Sequence, residues 1–207
     1  MPTLRPMPLK MWAIIREVIV EGRTVVVDYA HNAPGLRMLG DFVDKTGAAL
    51  DKGSELGKIS RIGVIATAGD RRNSDMRELG QIAAQHFDVV IVREDNALRG
   101  RRRGEVADLI AEGVHAAMGE GVRCKQVEIV LDELEATRHA ISRSNPGDLI
   151  VICVDQHAAV MSELESYSRQ AQPGAHRDEH TSTNAVSDPD FVADATPAEP
   201  TDEPSLF

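Results

Sequence analysis

At 207 residues the chain is long enough for one domain with a core of its own. Hydrophobic residues make up 42% but aromatics only 3%, which points to an aliphatic core and argues against stacking-based recognition of single-stranded nucleic acid. The net charge of −10 argues against any nucleic-acid partner, because phosphate contacts need a basic face.

The first residues, 1–11, carry three prolines and read as a linker. Residues 12–20 (WAIIREVIV) are apolar and β-branched, and Glu21-Gly22-Arg23 forms a turn into TVVVDYA, so the pair reads as an antiparallel hairpin. The second strand runs into a helix through a polar junction, Asp28 to Asn32, with Pro34 suited to the helix's first turn. From there strands and helices alternate. RIGVIAT (61–67), DVVIV (88–92), VEIV (127–130) and DLIVICV (148–154) read as strands. Residues 74–87, 104–118, 131–144 and 156–167 read as helices, the first two with apolar residues along one side. Unbroken Val/Ile runs, each followed by a helix, predict a parallel sheet covered on both faces. The expected fold is α/β and Rossmann-like in three layers, with about five parallel strands and one antiparallel N-terminal strand.

Composition changes near residue 168. Residues 168–207 hold two basic residues, Arg169 and Arg177, against eight acidic ones, so this stretch carries −6 of the −10. With few large apolar side chains it reads as an acidic disordered tail. The domain is therefore expected over 12–167. Cys124 and Cys153 are too far apart in sequence to suggest a disulfide framework, and Cys153 sits in the apolar run LIVICV. No apolar stretch reaches the ~20 residues that span a membrane, and Arg16 and Glu17 break the apolar part of the N-terminus. The expected location is the cytoplasm.

Ligands of open parallel sheets bind beyond the carboxyl ends of the strands, and three loops there stand out. The first is Asp28-Tyr29-Ala30-His31-Asn32, a set of potential ligands; equally, Asn32 is a helix cap, Asp28 pairs with an arginine and His31 is incidental. The second is ATAGDRRNSDMRE (66–78). Its small residues let a ligand approach the backbone, and Asp70, Arg71 and Arg72 precede a helix opening near Asn73-Ser74, an arrangement suited to phosphate or carboxylate. The competing reading has Asp75 and Glu78 neutralise both arginines. The third is REDNALRGRRRGE (93–105), with Glu94 and Asp95 at the strand end and Arg99, Arg101, Arg102 and Arg103 crowded behind. It is either a binding loop for acidic and cationic groups or a solvated charged loop. No G-x-G-x-x-G follows a strand, no G-x-x-x-x-G-K-[ST] is present, and there is no G-x-S-x-G elbow. His176 and His180 lie in the tail without a carboxylate or cysteine cage, so no metal site is expected.

Together the three loops are recognisable. VVVDYAHNAPGLRMLGDFV resembles the opening of the C-terminal domain of Mur ligases, whose hallmark is a D-Y-A-H-N-P string; here Ala33 precedes Pro34. RIGVIATAGDRRNSDMRELGQIAAQHFDVVIVREDNALRGRRRGEVADLI resembles the same domain in cyanophycin synthetase, as does GDLIVICVDQ. The resemblance covers roughly 18–167. It implies a part of an ATP-dependent ligase that joins an amino acid to a carboxylate through an acyl phosphate. It implies ATP and Mg2+, held mainly by a P-loop-bearing central domain in cis or in trans. By the family's motifs, Asp28, His31 and Asn32 match the string at the nucleotide-facing junction, and Asp70 and Arg71 match a Gly-Asp-Arg loop facing the active-site cleft; with Arg72 they are the expected anion-binding set. Glu94, Asp95 and Arg99 fall in the loop for the incoming amino acid, although Ala97-Leu98 interrupts the Asp-Asn-Pro-Arg form. Without the P-loop this part alone is expected to be inactive. The alternative is a stand-alone module that binds a nucleotide or acidic metabolite and carries a regulatory tail.

Overall fold

The computed structural model describes residues 16–54 and 57–170. The expected linker, the first residues of the expected hairpin and the acidic segment from 171 on lie outside the described residues.

Six strands form one sheet in the order β1-β2-β6-β3-β4-β5. Strand β1 (Arg16–Val20) turns through Glu21 and Gly22, both at positive φ, and returns antiparallel as β2 (Arg23–Asp28), with Val20 opposite Arg23. Strands β3 (Arg61–Ile65), β4 (Val89–Val92), β5 (Gln126–Ile129) and β6 (Leu149–Cys153) are parallel to β2. The central strands β3 and β6 are buried along their whole length, as their unbroken apolar runs require.

The side chains of each strand alternate between two aliphatic layers. Val26, Ile65, Val90, Val92 and Val151 meet helices α1 (Ala33–Gly53), α2 (Asn73–His86) and α3 (Glu105–Ala117). Val25, Val27, Ile62, Val64, Ile91, Ile150 and Ile152 meet α4 (Glu133–Arg143) and α5 (His157–Gln170). Helices α2 and α3 cross so closely that a Cβ on Gly80 or Gly113 would lie 2.0 Å from a backbone oxygen of the other helix.

Helix α2 begins at Asn73, where the sequence places its opening, with Arg72 in the cap position and no side-chain cap. Asn73 Oδ1 accepts from Arg101 Nη2 at 2.7 Å. Helix α5 runs on to Gln170, beyond the expected 167.

Candidate functional site

Strand β6 enters the sheet between β2 and β3, so the loops after β2, β3, β4 and β6 converge at one end. They enclose a cleft of about 310 Å³ lined by Tyr29, Ala30 and His31, by Ala66, Thr67 and Ala68, by Arg93 and Asp95, and by Cys153, Val154 and Asp155. This is the place where open α/β sheets take ligands.

The β2 loop is shaped by its own polar residues. Asp28 Oδ1 accepts from the Ala30 amide at 2.7 Å. Burial holds the Asp28 carboxyl above the ordinary aspartate range, against the opposing effect of hydrogen bonds from the Ala30 and Tyr29 backbone. His31 Nδ1 donates to the Tyr29 carbonyl at 2.8 Å, which leaves Nε2 as the exposed ring nitrogen. Asn32 Oδ1 accepts from the Gly35 amide at 2.9 Å and caps α1, so its amide NH2 group is what it has to offer elsewhere. Thr67 Oγ1 donates to the His31 carbonyl at 2.7 Å and ties the β3 loop to the β2 loop.

In the β3 loop the two arginines differ. Arg72 forks onto Asp75, Nε to Oδ2 at 3.0 Å and Nη2 to Oδ1 at 2.9 Å, and is neutralised as the competing reading anticipated. Glu78 pairs with Arg37 on α1, not with Arg71. Among the described residues Arg71 keeps only a distant carboxylate, Asp70, at 3.9 Å.

The β4 loop divides into a buried base and an exposed rim. Arg93 is 3% exposed. It donates from Nε and Nη2 to the Cys153 carbonyl at 3.2 and 2.8 Å and pairs with the buried Glu133 at 3.3 Å. Glu133 in turn accepts the Asp155 and Gln156 amides at 2.7 and 3.0 Å, and so holds the loop that enters α5. Glu94 does not line the cleft. Its carboxylate is wholly buried and accepts the amides of Gly104 at 2.7 Å and Val106 at 3.0 Å at the start of α3. Both of its oxygens thus already serve the helix. Asp95 remains at the cleft, with Oδ1 on the Ala97 amide at 2.8 Å. Arg99 is exposed, at φ 51°, and outside the cleft lining.

Of the nine residues that the motifs single out, His31 and Asp95 line the cleft. Asp28 ends β2, and Asn32, Asp70, Arg71 and Arg72 lie on the loops after β2 and β3, while Glu94 is buried against the start of α3 and Arg99 is exposed outside the cleft lining. Sequence reasoning missed Arg93, Asp155 and Cys153. Arg93 and Asp155 each stand at a strand's carboxyl end, the same position that drew attention to Glu94 and Asp95. Burial first, then the nearby Asp95 and Glu133, push the Asp155 carboxyl up. Burial above all, with Asp28 adding, pushes the Cys153 thiol up to about 12, so it is an unreactive wall of the cleft. No group of three or more metal-binding side chains exists among the described residues. Nor is any helix among them long and apolar enough to cross a membrane.

A family model described as Mur ligase, glutamate ligase domain, matches residues 12–154. The chain is 38% identical over 144 residues to the cyanophycin synthetase of Geminocystis herdmanii, a match covering 70% of this chain and 15% of that protein. It is 42% identical over 127 residues to the cyanophycin synthetase of Synechocystis sp., covering 61% and 13%. It is 35% identical over 133 residues to the UDP-N-acetylmuramoyl-L-alanyl-D-glutamate–2,6-diaminopimelate ligase of Syntrophomonas wolfei, covering 64% and 24%. The chain thus matches at most 24% of the length of these relatives. Among solved structures, a ligase of that last name superposes with TM-score 0.54 at 20% identity, over 82% of this chain and 33% of that one. A murein peptide ligase from Psychrobacter arcticus superposes with TM-score 0.53 at 18% identity, over 72% and 28%. These likenesses bear out the expected Rossmann-like α/β fold.

Proposed function

The chain belongs to the Mur ligase family, as its glutamate ligase domain, and on that premise we propose that it is the closing, substrate-binding part of an ATP-dependent amide ligase of the cyanophycin synthetase type. The observation that carries this reading is the cleft at the carboxyl ends of β2, β3, β4 and β6, with Asp95 and Asp155 in its lining and the weakly paired Arg71 on the same β3 loop as its Ala66–Ala68 wall. The similarity to cyanophycin synthetases at 35–42% identity supports the subtype.

In this reading a central domain, in the same or another polypeptide, holds the ATP phosphates and Mg2+ in its P-loop. ATP supplies the phosphoryl group that turns the acceptor carboxylate into an acyl phosphate. The residues of this chain do the rest. His31 and the small-residue wall Ala66–Ala68 lie against the nucleotide. Asp95 meets the amino acid whose amine attacks, and Arg71 meets anionic oxygens. Closing the domain keeps water from the acyl phosphate. The cytoplasm suits this role, since Cys124 and Cys153 are both free and buried.

The test is reconstitution. The full chain is added to a cyanophycin synthetase truncated before its own C-terminal part, and ADP release is measured with ATP, arginine and acceptor polymer. The chain is expected to restore amino-acid-dependent ADP release, and the Asp95→Ala chain to restore at least tenfold less. Failure of the unaltered chain, with the intact synthetase active under the same conditions, rejects the reading.

A further inference from the structure

The turn that joins β3 to α2 is gripped from the neighbouring loop. Arg101 donates from Nε to the Gly69 carbonyl at 2.7 Å, and from Nη2 to the Arg71 carbonyl at 2.9 Å and to Asn73 Oδ1 at 2.7 Å. Its Nη1 bonds Glu105 at 2.7 Å. The two loops also touch backbone to backbone: a Cβ on Gly69 would lie 2.2 Å from the Leu98 carbonyl oxygen. The Arg101 side chain is only 18% exposed, against 44% for Arg71 on the turn that it holds. The more buried guanidinium is thus occupied internally, and the one beside it is presented outward.

We propose that Arg101 is a positioning residue: it fixes the turn over residues 69–73 so that the Arg71 guanidinium stands ready for an anionic group of phosphate or carboxylate chemistry, and it does not touch that group itself. The inference rests on the reading that Arg71 meets an anion. The physical reason is preorganisation. A short turn with unsatisfied carbonyls samples many states, and the entropy of ordering it would be charged against binding. A planar guanidinium reaches the Gly69, Arg71 and Asn73 oxygens at once, which a single ammonium on a flexible stem does not do. Arg101→Lys is therefore not a conservative change here.

Inorganic tripolyphosphate titrated into the nitrogen-labelled 207-residue chain, with amide shifts as readout, gives the test. Arg71→Ala is expected to weaken binding about tenfold, the scale of one charge-assisted hydrogen bond. Arg101→Ala is expected to weaken it by about the same factor, Arg101→Lys not to restore it, and the double variant to bind no more weakly than Arg71→Ala alone. An Arg71→Ala chain at full affinity removes the anion site and this inference with it. A weakened Arg71→Ala chain beside a full-affinity Arg101→Ala chain overturns the positioning role alone. Further weakening in the double variant makes Arg101 a direct ligand and also overturns it. If Arg101→Ala does not fold, Asn73→Ala removes one exposed acceptor and is expected to weaken binding about twofold; unchanged affinity then overturns the inference.

Discussion

The two ends of the sheet carry similar kinds of residues and use them differently. At the amino end, Asp44, Lys58, Arg61, Asp88, Arg123 and Lys125 surround a cleft of about 600 Å³, roughly twice the 310 Å³ at the carboxyl end. Yet its arginines and carboxylates close on one another. Arg61 pairs with Asp44 at 2.7 Å and Asp51 at 3.5 Å, His86 Nδ1 meets the other Asp44 oxygen at 2.9 Å, and Arg123 meets Asp88 at 3.3 Å. The carboxyl ends of α1 and α2 bring basic groups of their own, Lys52 and His86, as the helix dipole favours. At the carboxyl end the buried layer is just as well matched, through Arg93, Glu133 and Glu94, but the outer layer is not. Asp95 and Asp155 are like charges side by side, and among the described residues Arg71 has only a carboxylate at 3.9 Å. Carboxylates set against each other beside a weakly paired arginine mark the candidate site better than a larger volume whose arginines are paired with carboxylates.

That contrast breaks most severely if the buried layer is cut. Glu133→Ala strips Arg93 of its carboxylate and leaves the Asp155 and Gln156 amides without their acceptor. The expected loss is about 4 kcal/mol, because an uncompensated buried charge remains. For a domain of this size that lowers Tm by roughly 10 °C. At the other end, Arg61→Ala should cost less, about 2 kcal/mol, since Asp44 and Asp51 reach water once released. Thermal melts of the two variants order the effects, and a larger loss for Arg61→Ala would reverse the assignment of the rigid layer. Tripolyphosphate affinity should stay unchanged in Arg61→Ala.

Asp155→Asn probes the unmatched layer. The folded protein holds the Asp155 carboxyl above its ordinary value, so the folded chain binds more protons than the unfolded chain between the two values. The stabilisation from this group is present at low pH and is lost as pH rises from about 4 through the raised value. Removing the charge should make the variant more stable near neutrality by about 1 °C, an effect kept small because Asp155 is exposed. The gain should vanish at acid pH. A variant less stable than the parent at pH 7 would mean that the carboxylate is matched after all.

How much of this was legible in the sequence differs by kind of feature. The strands were, because burial on both faces demands unbroken runs such as LIVIC and RIGVI, and the Glu21-Gly22 turn reads directly as a hairpin. The place of β6 between β2 and β3 was not, since helix packing over the sheet sets strand order and the local pattern does not. The loops were legible as a place, not as roles. Glu94 and Asp95 are neighbours at one strand end, but the backbone turns one into the core and the other to the cleft, so composition could not separate them. Arg101 looked like one of four crowded arginines; only the approach of the β3 loop gives it three acceptors in that turn. Asp155 lacked any charged neighbour in sequence to draw attention, because its partner Asp95 is brought by the fold.

Arg71 and Arg72 give the finest division, between adjacent residues of one type. The Arg72 side chain is 82% exposed, yet both arms of its fork lie on Asp75. The pairing acts on both partners: the hydrogen bond to Asp75 raises the Arg72 guanidinium further, and the hydrogen bond from Arg72 holds the Asp75 carboxyl below its ordinary range. An anion approaching Arg72 must therefore displace a carboxylate already in bidentate register, whereas at Arg71 it meets no such competitor. Arg72→Ala should change tripolyphosphate affinity less than twofold, against about tenfold for Arg71→Ala. Asp75→Ala should convert Arg72 into a second anion contact and tighten binding, about threefold in low salt and less as salt screens it. Equal losses from the two arginines would mean that pairing does not decide which charges at this end of the sheet serve a ligand.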